Sequence, residues 1–490
     1  MKDNTRNFTI LHSNDMHGDF LAEVREGSGD LIGGLALLSG YLNKVREEEE
    51  NVIFVIAGDM VQGSLIDSEY KGISTIEIMN YLSPDVVTLG NHELDYGLPH
   101  LLFLEKMANF PIVNANLYIK KYGKRLMDPY FIMEIADFSI LFIGIITEKV
   151  MDSLAIDQLI GTFVSTEDAA EEIGKICNAY KNNDIDLTIA LTHIGFESDI
   201  ELAKMLKPEW GVDIILGGHS HTVLEQPEIV NNILIAQAGV GTNQIGRFDI
   251  VVDDDTNSII QWKWELVPIN SETAAADSSL EEFISKFKNK LDEKYNAIIT
   301  RFSEKLTHPQ REEETTLGNI FADALAETSE TDVILIGSGS IRVKELGPVV
   351  TLGDLKACFP YDDTLARYTI NGMQLKKIFS HIMRMENRDG EGECYQVNSG
   401  VRAVYSDCES KLVSIAVDET PVVDDQKYTI TLQGYHFINS QTNLGISNDE
   451  LIAGGNSKVV STSAYQVLEE WLRHHANIKR DIEGRIVFKP

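Results

Sequence analysis

The 490-residue sequence has no apolar run that approaches the ~18 residues of a membrane-spanning helix, so no transmembrane span is expected. Its first residues also lack the apolar segment of a secretory signal peptide, because they lead almost at once into a predicted strand. We therefore expect no membrane partner and a cytoplasmic location.

Cysteine is scarce: there are four residues, and no pair has the C-x-x-C spacing of many metal and redox sites. We predict that Cys177, Cys358, Cys394 and Cys408 are reduced thiols, which fits a reducing compartment. A disulfide between Cys394 and Cys408 is the less favoured alternative.

Basic residues are outnumbered, since 42 Lys and Arg stand against 76 Asp and Glu and give a formal net charge of −34. This balance argues against general electrostatic binding of nucleic acid or of an anionic membrane. An anionic substrate would need a locally positive site, and bound divalent cations can create one.

Five short polar segments each follow an apolar run that is typical of a buried strand. The runs are Phe8–Leu11, Val52–Ala57, Asp85–Leu89, Leu187–Leu191 and Val212–Leu216. The polar segments contain Asp15, His17, Asp59, Asn91, His193, His219 and His221. Because side chains just past the carboxyl ends of sheet strands converge on one crevice, we expect these seven to meet at one site.

Several imidazoles beside carboxylates suit manganese, zinc, iron or cobalt better than magnesium or calcium, which prefer oxygen ligands. Asp59 could bridge two metal ions because a carboxylate has two oxygens. Asn91 offers only a neutral carbonyl oxygen, which leaves the metals strong Lewis acids. The set therefore predicts a hydrolytic site with two divalent metal ions.

His92 and Asp95 have a different predicted role. His92 directly follows Asn91, so the two are not expected to bind the same metal. Asp95 lies three residues after His92, a spacing that lets its carboxylate hold one nitrogen of the imidazole. An imidazole oriented in this way can contact a phosphoryl oxygen or protonate a leaving group.

Together the segments D-x-H, G-D, G-N-H-E, H and G-H-x-H resemble the signature of the calcineurin-like metallophosphoesterases. More narrowly, LHSNDMHGDF, GNHELDYG and GGHSHT resemble the 5′-nucleotidase branch, which includes bacterial UDP-sugar hydrolases and 2′,3′-cyclic nucleotide phosphodiesterases. The resemblance implies an α/β fold class, with an N-terminal four-layer αββα sandwich and a C-terminal α/β domain.

The resemblance also implies a role for each residue of the site. One metal ion would be bound by Asp15, His17, Asp59 and His221. The other would be bound by Asp59, Asn91, His193 and His219, with Asp59 as the bridge. His92 and Asp95 would form the catalytic dyad, and all these positions are intact here.

The pattern of apolar runs predicts a catalytic domain over 1–270, a linker and helix over 271–300, and a second domain over 301–490. The first is expected to close with a hairpin-like tail at Ile233–Gln237, Gly246–Val252 and Ile259–Leu266. The helix, Leu280–Thr300, either connects the domains or is a surface helix of the second. In the family, the second domain binds the nucleoside or sugar portion of the substrate.

The second domain departs from the family pattern at two motifs. Gly337-Ser-Gly-Ser-Ile-Arg342 stands where most members have N-G-G-G-I-R, so Gly337 replaces a side-chain amide. Gly454-Gly455-Asn456-Ser457 stands where members have G-G-D-G. Arg342 is retained as a substrate-binding candidate, and Arg311 fits the place of a family arginine, although Glu312–Glu314 could compete for it.

Family members clamp the base between two aromatic rings of this domain. The candidates here are Tyr395 and either Tyr435 or Phe437, and the last two are predicted to share one face of a strand. For each ring, packing in a sheet core is an open alternative.

We therefore predict metal-dependent hydrolysis of a phosphoester, with a nucleoside 5′-monophosphate as the substrate. Alternatives on the same metal centre are a 2′,3′-cyclic nucleotide phosphodiesterase, a UDP-sugar hydrolase and a phosphatase of a non-nucleotide metabolite. A non-catalytic nucleotide-binding protein is a further alternative, which the intact His92 and Asp95 disfavour.

Overall fold

The computed structural model describes residues 5–24, 30–119, 122–147, 162–163, 165–181, 183, 185–253, 255–388, 393–455 and 457–490. The chain divides into two compact units, Met1–Leu291 and Asp292–Pro490, called unit 1 and unit 2 below. No helix in the described part of the chain combines the length and the apolarity that crossing a membrane requires.

The strands of unit 1 are β1 (Thr5–Ser13), β2 (Glu23–Val24), β3 (Leu31–Ile32), β4 (Val52–Ala57), β5 (Val86–Thr88), β6 (Ile112–Val113), β7 (Leu117–Ile119), β8 (Lys124–Arg125), β9 (Tyr130–Ile135), β10 (Phe138–Ile146), β11 (Thr162–Phe163), β12 (Leu187–His193), β13 (Ile214–Leu216), β14 (Glu228–Val230), β15 (Ile233–Ala236), β16 (Gln244–Asp253) and β17 (Ser258–Pro268). The helices are α1 (Leu35–Glu48), α2 (Leu65–Tyr70), α3 (Ile73–Leu82), α4 (Leu98–Met107), α5 (Thr166–Ala179), α6 (Phe196–Met205) and α7 (Ser278–Tyr295), which runs into unit 2.

Two six-stranded sheets form the centre of unit 1, in the orders β17-β16-β1-β4-β5-β6 and β14-β15-β13-β12-β10-β9. In the first sheet β1, β4, β5 and β6 are parallel, and in the second β10, β12, β13 and β15 are parallel. The sequence of β4, VIFVIA, is apolar at every position because a parallel strand is covered on both faces. The loops that follow these strands share one edge of each sheet.

Alternate side chains of the two sheets pack against each other. Phe8 and Ile10 of β1 share one buried cluster with Phe142 of β10 and Ile189 of β12. Side chains of the opposite parity on the second sheet, such as Ile143, pack in another cluster with residues of α5 and α6. Such layering of sheets and helices confirms the predicted α/β class.

Parts of the predicted organisation of unit 1 differ from the structure. The tail is not a three-stranded hairpin, because Ile233–Ala236 pairs with β13 and β14 in the second sheet. Only β16 and β17 form the hairpin, at the edge of the first sheet. Helix α7 ends at Tyr295 instead of reaching Thr300, since Ile298–Arg301 is a strand.

The strands of unit 2 are β18 (Ile298–Arg301), β19 (Leu306–Thr307), β20 (Val333–Gly337), β21 (Glu345–Leu346), β22 (Val349–Thr351), β23 (Leu365–Asn371), β24 (Tyr395–Val397), β25 (Val401–Ser406), β26 (Lys411–Val417), β27 (Thr420–Pro421), β28 (Lys427–Gln433), β29 (Lys458–Ser461) and β30 (Ile486–Lys489). Its further helices are α8 (Thr316–Ser329), α9 (Leu352–Cys358), α10 (Gly372–Ile382), α11 (Met385–Arg388), α12 (Gly434–Ile438), α13 (Ser440–Asn443), α14 (Asn448–Ile452) and α15 (Ala464–His474).

Unit 2 is built on a five-stranded sheet, β24-β20-β28-β23-β29, and a four-stranded sheet, β27-β26-β25-β30. Helices α8 and α15 pack on one face of the larger sheet around Phe321 and Leu468. Helix α10 packs on the other face, between the larger sheet and the smaller one, around Phe379. The predicted strand with Tyr435 and Phe437 on one face is wrong, because these residues lie in α12, just past β28.

Candidate metal centre

The seven predicted metal ligands all lie at the ends of parallel strands in unit 1. Asp15 and His17 follow β1, Asp59 follows β4 and Asn91 follows β5, while His193 ends β12 and His219 and His221 follow β13. Five of them have a positive φ, namely Asp15 (50°), His17 (49°), Asp59 (52°), His219 (82°) and His221 (54°). This conformation is uncommon outside glycine and costs about 1–3 kcal/mol per residue, so such clusters are typical of functional sites.

One half of the centre contains Asp15, His17 and His221. Nε2 of His221 lies 3.2 Å from Nε2 of His17 and 3.4 Å from Oδ1 of Asp15. Nε2 of His17 also lies 3.9 Å from Oδ1 of Asp15 and 4.0 Å from Oδ2 of Asp59. These ligand atoms are close enough together to hold one cation.

The other half contains Asp59, Asn91, His193 and His219. Nε2 of His193 lies 3.0 Å from Oδ2 of Asp59 and 3.2 Å from Oδ1 of Asn91. Nδ1 of His219 lies 2.8 Å from that same amide oxygen. Oδ2 of Asp59 is thus near both halves, which is the position that a bridging ligand needs.

The donor set fits a cation. Nδ1 of His193 donates to the carbonyl oxygen of Ala57 at 2.8 Å, which leaves the lone pair of the neutral ring on Nε2. That lone pair faces Oδ2 of Asp59 and Oδ1 of Asn91, which only accept hydrogen bonds. A proton or a metal ion must therefore lie among these three atoms, and mixed nitrogen and oxygen ligands are those of first-row transition metals.

Electrostatics favour the charged form of the bridging carboxylate. Burial alone would raise the pKa of Asp59, but the positive charge and hydrogen bond of His193 bring this pKa below its usual range. Burial likewise disfavours the imidazolium of His193, and the carboxylates of Asp59 and Asp15 raise its pKa above the ordinary value. A dication would replace the imidazolium as the partner of these carboxylates.

His92 and Asp95 lie beside this cluster. Nδ1 of His92 donates to Oδ2 of Asp95 at 2.7 Å, and this hydrogen bond raises the pKa of His92. The ring centroids of His92 and His17 are 5.3 Å apart. The side chains of His92 and Asp95 are 34% and 30% exposed, so a substrate can reach them.

Glu93 is a residue of the site to which sequence reasoning assigned no role. Its buried carboxylate accepts backbone N–H groups from Gly90 at 2.6 Å, Asp59 at 3.0 Å and Met60 at 2.8 Å. It thereby fixes the loops of Asp59 and Asn91 to each other. The available sequence signal is the charged residue inside the G-N-H-E segment. Its burial is seen in the structure, and a carboxylate is rarely buried without such partners.

A second network supports the ligands that follow β12 and β13. The buried carboxylate of Asp199 accepts the hydroxyl of Thr192 at 2.6 Å and the amide of Gln237 at 3.0 Å. Gln237 also accepts the hydroxyl of Ser220 at 3.0 Å. Since Thr192 precedes His193 and Ser220 lies between His219 and His221, this network orients ligands of both halves. Sequence reasoning missed it, because its members are far apart in the chain.

The charged candidates of unit 2 line one open cavity of about 390 Å³, whose wall includes Arg311 and Arg342. Arg342 donates to the hydroxyl of Tyr361 at 2.6 Å, and its guanidinium lies 5.3 Å from the ring centroid. Sequence reasoning missed Tyr361. Glu314 accepts the backbone N–H groups of Glu483 and Arg485, both at 2.7 Å.

The aromatic candidates of unit 2 have different surroundings. Tyr395 is only 5% exposed, and its hydroxyl pairs with Nδ1 of His436 at 3.0 Å. Phe437 packs on a core cluster, with its ring 6.1 Å from that of Tyr368, whereas Tyr435 is 53% exposed. The rings of Tyr395 and Phe437 thus pack with the core, which was the alternative to a base clamp. Asn456 lies outside the described residues.

Comparison with known proteins agrees with the division of the chain into unit 1 and unit 2. Residues 8–223 match the calcineurin-like phosphoesterase family, and residues 297–443 match the 5′-nucleotidase C-terminal domain family. The chain is 27% identical to the trifunctional nucleotide phosphoesterase YfkN of Bacillus subtilis, with 100% of this chain and 35% of YfkN covered. It is 26% identical to the snake venom 5′-nucleotidase of Gloydius brevicauda, with 98% of this chain and 88% of the relative covered.

The fold is also that of a solved structure. The crystal structure of a 5′-nucleotidase precursor from Thermus thermophilus superposes with a TM-score of 0.61 at 23% identity, and 99% of each chain is covered. The chain thus spans about a third of YfkN and most of the other two proteins.

Proposed function

The chain belongs to the calcineurin-like phosphoesterases that carry a 5′-nucleotidase C-terminal domain, and from this premise we propose that it releases phosphate from nucleoside 5′-monophosphates. The relatives named above are phosphoester hydrolases. The observation that carries the proposal is the position of His92, held by Asp95 directly beside a cluster of Asp and His side chains that could hold metal.

The residues present fit two divalent metal ions, with manganese, zinc, iron and cobalt as the proposed candidates. Asp15, His17 and His221 would hold one ion, Asn91, His193 and His219 the other, and Asp59 both. When bound, the two ions would supply Lewis-acid activation of the phosphoryl group and of the attacking water.

His92 supplies the proton chemistry. Its Nδ1–H is held by Asp95, which leaves Nε2 for the substrate. Because the hydrogen bond to Asp95 raises the pKa of His92, it favours the form of the ring that also carries a proton at Nε2. In this form His92 can donate to a phosphoryl oxygen and assist the departure of the leaving alkoxide.

We propose that the cavity of unit 2 lined by Arg311 and Arg342 takes part in substrate binding. Guanidinium groups suit phosphate and sugar hydroxyls. Tyr361 and Tyr435 have exposed rings in this unit and could stack on a base. The hydroxyl of Tyr361 already accepts a hydrogen bond from Arg342.

The packing of Tyr395 and Phe437 favours a second candidate, a phosphatase of a non-nucleotide metabolite. The predicted clamp needs two accessible rings, and these two candidates are largely taken up by the protein core. At Gly337, a Cβ atom would lie 2.4 Å from Nε2 of His436, so a side chain at this position would require the ring of His436 to move. Recognition of a base by this chain would therefore use other groups than the family pattern suggests.

A panel assay separates these candidates. Purified protein with added manganese or zinc is given AMP, other nucleoside monophosphates, ATP, UDP-glucose, 2′,3′-cyclic AMP and a generic aryl phosphate, and phosphate release is measured. Preference for nucleoside monophosphates supports the proposal. Turnover of the aryl phosphate alone supports the non-nucleotide candidate, and preference for the cyclic diester or the UDP-sugar assigns the corresponding branch of the family.

We also propose that the protein works in a reducing, cytoplasmic compartment. All four cysteines are free thiols, and Cys177, Cys358 and Cys394 are buried. Cell fractionation with an antibody to the protein tests this proposal.

A further inference from the structure

The loop after β4 contains a residue whose backbone is fixed in an uncommon conformation. Gln62 has φ of 71°, in the left-handed region. Its N–H donates to Oδ2 of Asp67 at 2.8 Å. Asp67 is fully buried and also accepts the hydroxyls of Thr75 and Tyr96, the latter at 3.2 Å. A buried carboxylate with these partners holds Gln62 in a defined place.

From this place Gln62 contacts both parts of the site. Its carbonyl oxygen accepts Nδ1–H of His17 at 3.0 Å, which orients a predicted metal ligand. Its side-chain amide donates to Oδ2 of Asp95 at 3.1 Å. The same carboxylate oxygen accepts Nδ1–H of His92 at 2.7 Å. The side chain of Gln62 is therefore the next member of a chain of hydrogen bonds that ends on His92.

We propose that Gln62 is a positioning residue of the reaction, whose side-chain amide fixes Asp95 so that Asp95 holds His92 in the orientation needed for proton transfer. This inference rests on the proposed hydrolytic function. Asp95 needs such a partner because its side chain is 30% exposed, and a lone hydrogen bond to His92 would leave both side chains free to rotate together.

The local packing is consistent with a fixed loop. At the next residue, Gly63, a Cβ atom would lie 2.3 Å from the carbonyl oxygen of His17, so the two segments are in direct contact. The backbone contacts of Gln62 do not depend on its side chain. Substitution of the side chain therefore separates the bond to Asp95 from the support of His17.

The test is a double-mutant cycle between Gln62 and Asp95. Gln62→Met removes the amide and keeps the length of the side chain. Gln62→Asn keeps an amide but shortens the side chain by one carbon, and asparagine tolerates a positive φ. The same Gln→Met change at Gln261, an exposed residue of β17, is the matched control. Each variant is assayed with AMP and with a generic aryl phosphate, and its metal content is measured by elemental analysis.

We expect Gln62→Met and Gln62→Asn to lower kcat about 10-fold, with KM and metal content unchanged. In the Asp95→Ala background, Gln62→Met should cause no further loss, because Gln62 acts through Asp95. Gln261→Met should match the wild type. A rise in KM at unchanged kcat, a loss of metal, or an equal loss of kcat in both backgrounds would overturn the inference.

The two substrates keep this inference distinct from the proposed function. If the wild type hydrolyses only the aryl phosphate, the nucleotide proposal fails and the cycle is decided on the aryl phosphate. If the wild type hydrolyses nucleotides and Gln62→Met is fully active, the inference fails alone. A wild type that hydrolyses no phosphoester at all overturns both.

Discussion

At the scale of single residues, His92 is assigned a proton-transfer role although its side chain, with those of His17 and Asp59, forms a third group that could also hold a metal ion. We assign it this role because its Nδ1 is occupied by Asp95 and its neighbour Asn91 already faces His193 and His219. We predict that His92→Ala keeps its metal by elemental analysis and loses about 100-fold or more in kcat, the range of general acid catalysis.

His100→Ala is the matched control for that variant. His100 lies on α4, in the segment that follows the dyad, and its Nε2 donates to the carbonyl oxygen of Lys71 at 2.6 Å. This variant should keep the kcat of the wild type. An unchanged kcat in His92→Ala itself would contradict the assignment of the dyad.

Asp59 is the residue on which the two halves of the centre depend. Its Oδ2 is the carboxylate oxygen near both His193 and His17. Asp59→Asn removes the negative charge and replaces one oxygen by a donor, so we predict the loss of at least one metal per chain by elemental analysis. Retention of two metals in Asp59→Asn would refute its bridging role.

At the scale of elements, the residue just before β13 has a carboxylate with a pH-dependent effect on stability. The side chain of Asp213 accepts the N–H of Thr188 in β12 at 2.9 Å, and burial raises its pKa to about 7. This value lies above the ~4 of an unfolded chain, so folding takes up a proton. The stability from this group is fully present below pH ~4 and is lost as the pH rises through about 7.

We therefore predict that Asp213→Asn has a larger free energy of unfolding than the wild type at pH 8 and an equal one at pH 4. Asparagine keeps an oxygen for Thr188 without the charge, and the gain should be about 1–2 kcal/mol because water reaches part of the side chain. Urea denaturation at both pH values measures it. Asp425→Asn, at an exposed position, is the control, and a difference for Asp213→Asn that does not change with pH would contradict the prediction.

Some of the strands and helices could be predicted from the sequence, and others could not. Runs such as Val52–Ala57 are strands in the structure, because short apolar, β-branched segments that end at a glycine have few alternatives. The segment Gly434–Ile438 is a helix although Tyr, Phe and Ile favour strands, since β28 ends at Gln433 and tertiary contacts decide so short a segment. The partner of Ile233–Ala236 was unpredictable for a similar reason, because sheet membership depends on distant strands.

For the site, the sequence predicted the residues at the ends of strands better than the residues whose hydrogen bonds hold these strand ends in place. The seven candidate ligands come together because strand ends at one sheet edge converge, which is a rule that can be applied before a structure exists. Glu93, Asp199 and Tyr361 act through partners up to tens of residues away, and no local pattern shows such pairings. The ligand roles themselves stay predictions until metal is measured.

At the scale of the whole molecule, the candidate ligands all lie in unit 1, and this makes metal a probe of how the chain unfolds. A ligand that binds only the native state stabilises it by RT ln(1 + [L]/Kd), about 2.7 kcal/mol at 100 times Kd. We predict that scanning calorimetry shows two transitions and that added manganese raises the Tm of only one. The shifted transition should be that of unit 1, and it should move less in Asp59→Asn, which lacks the shared carboxylate. If the chain unfolds in one transition that shifts as a whole, the two units unfold cooperatively and the prediction of two transitions is contradicted. If manganese shifts no transition at any concentration, the metal centre itself is contradicted.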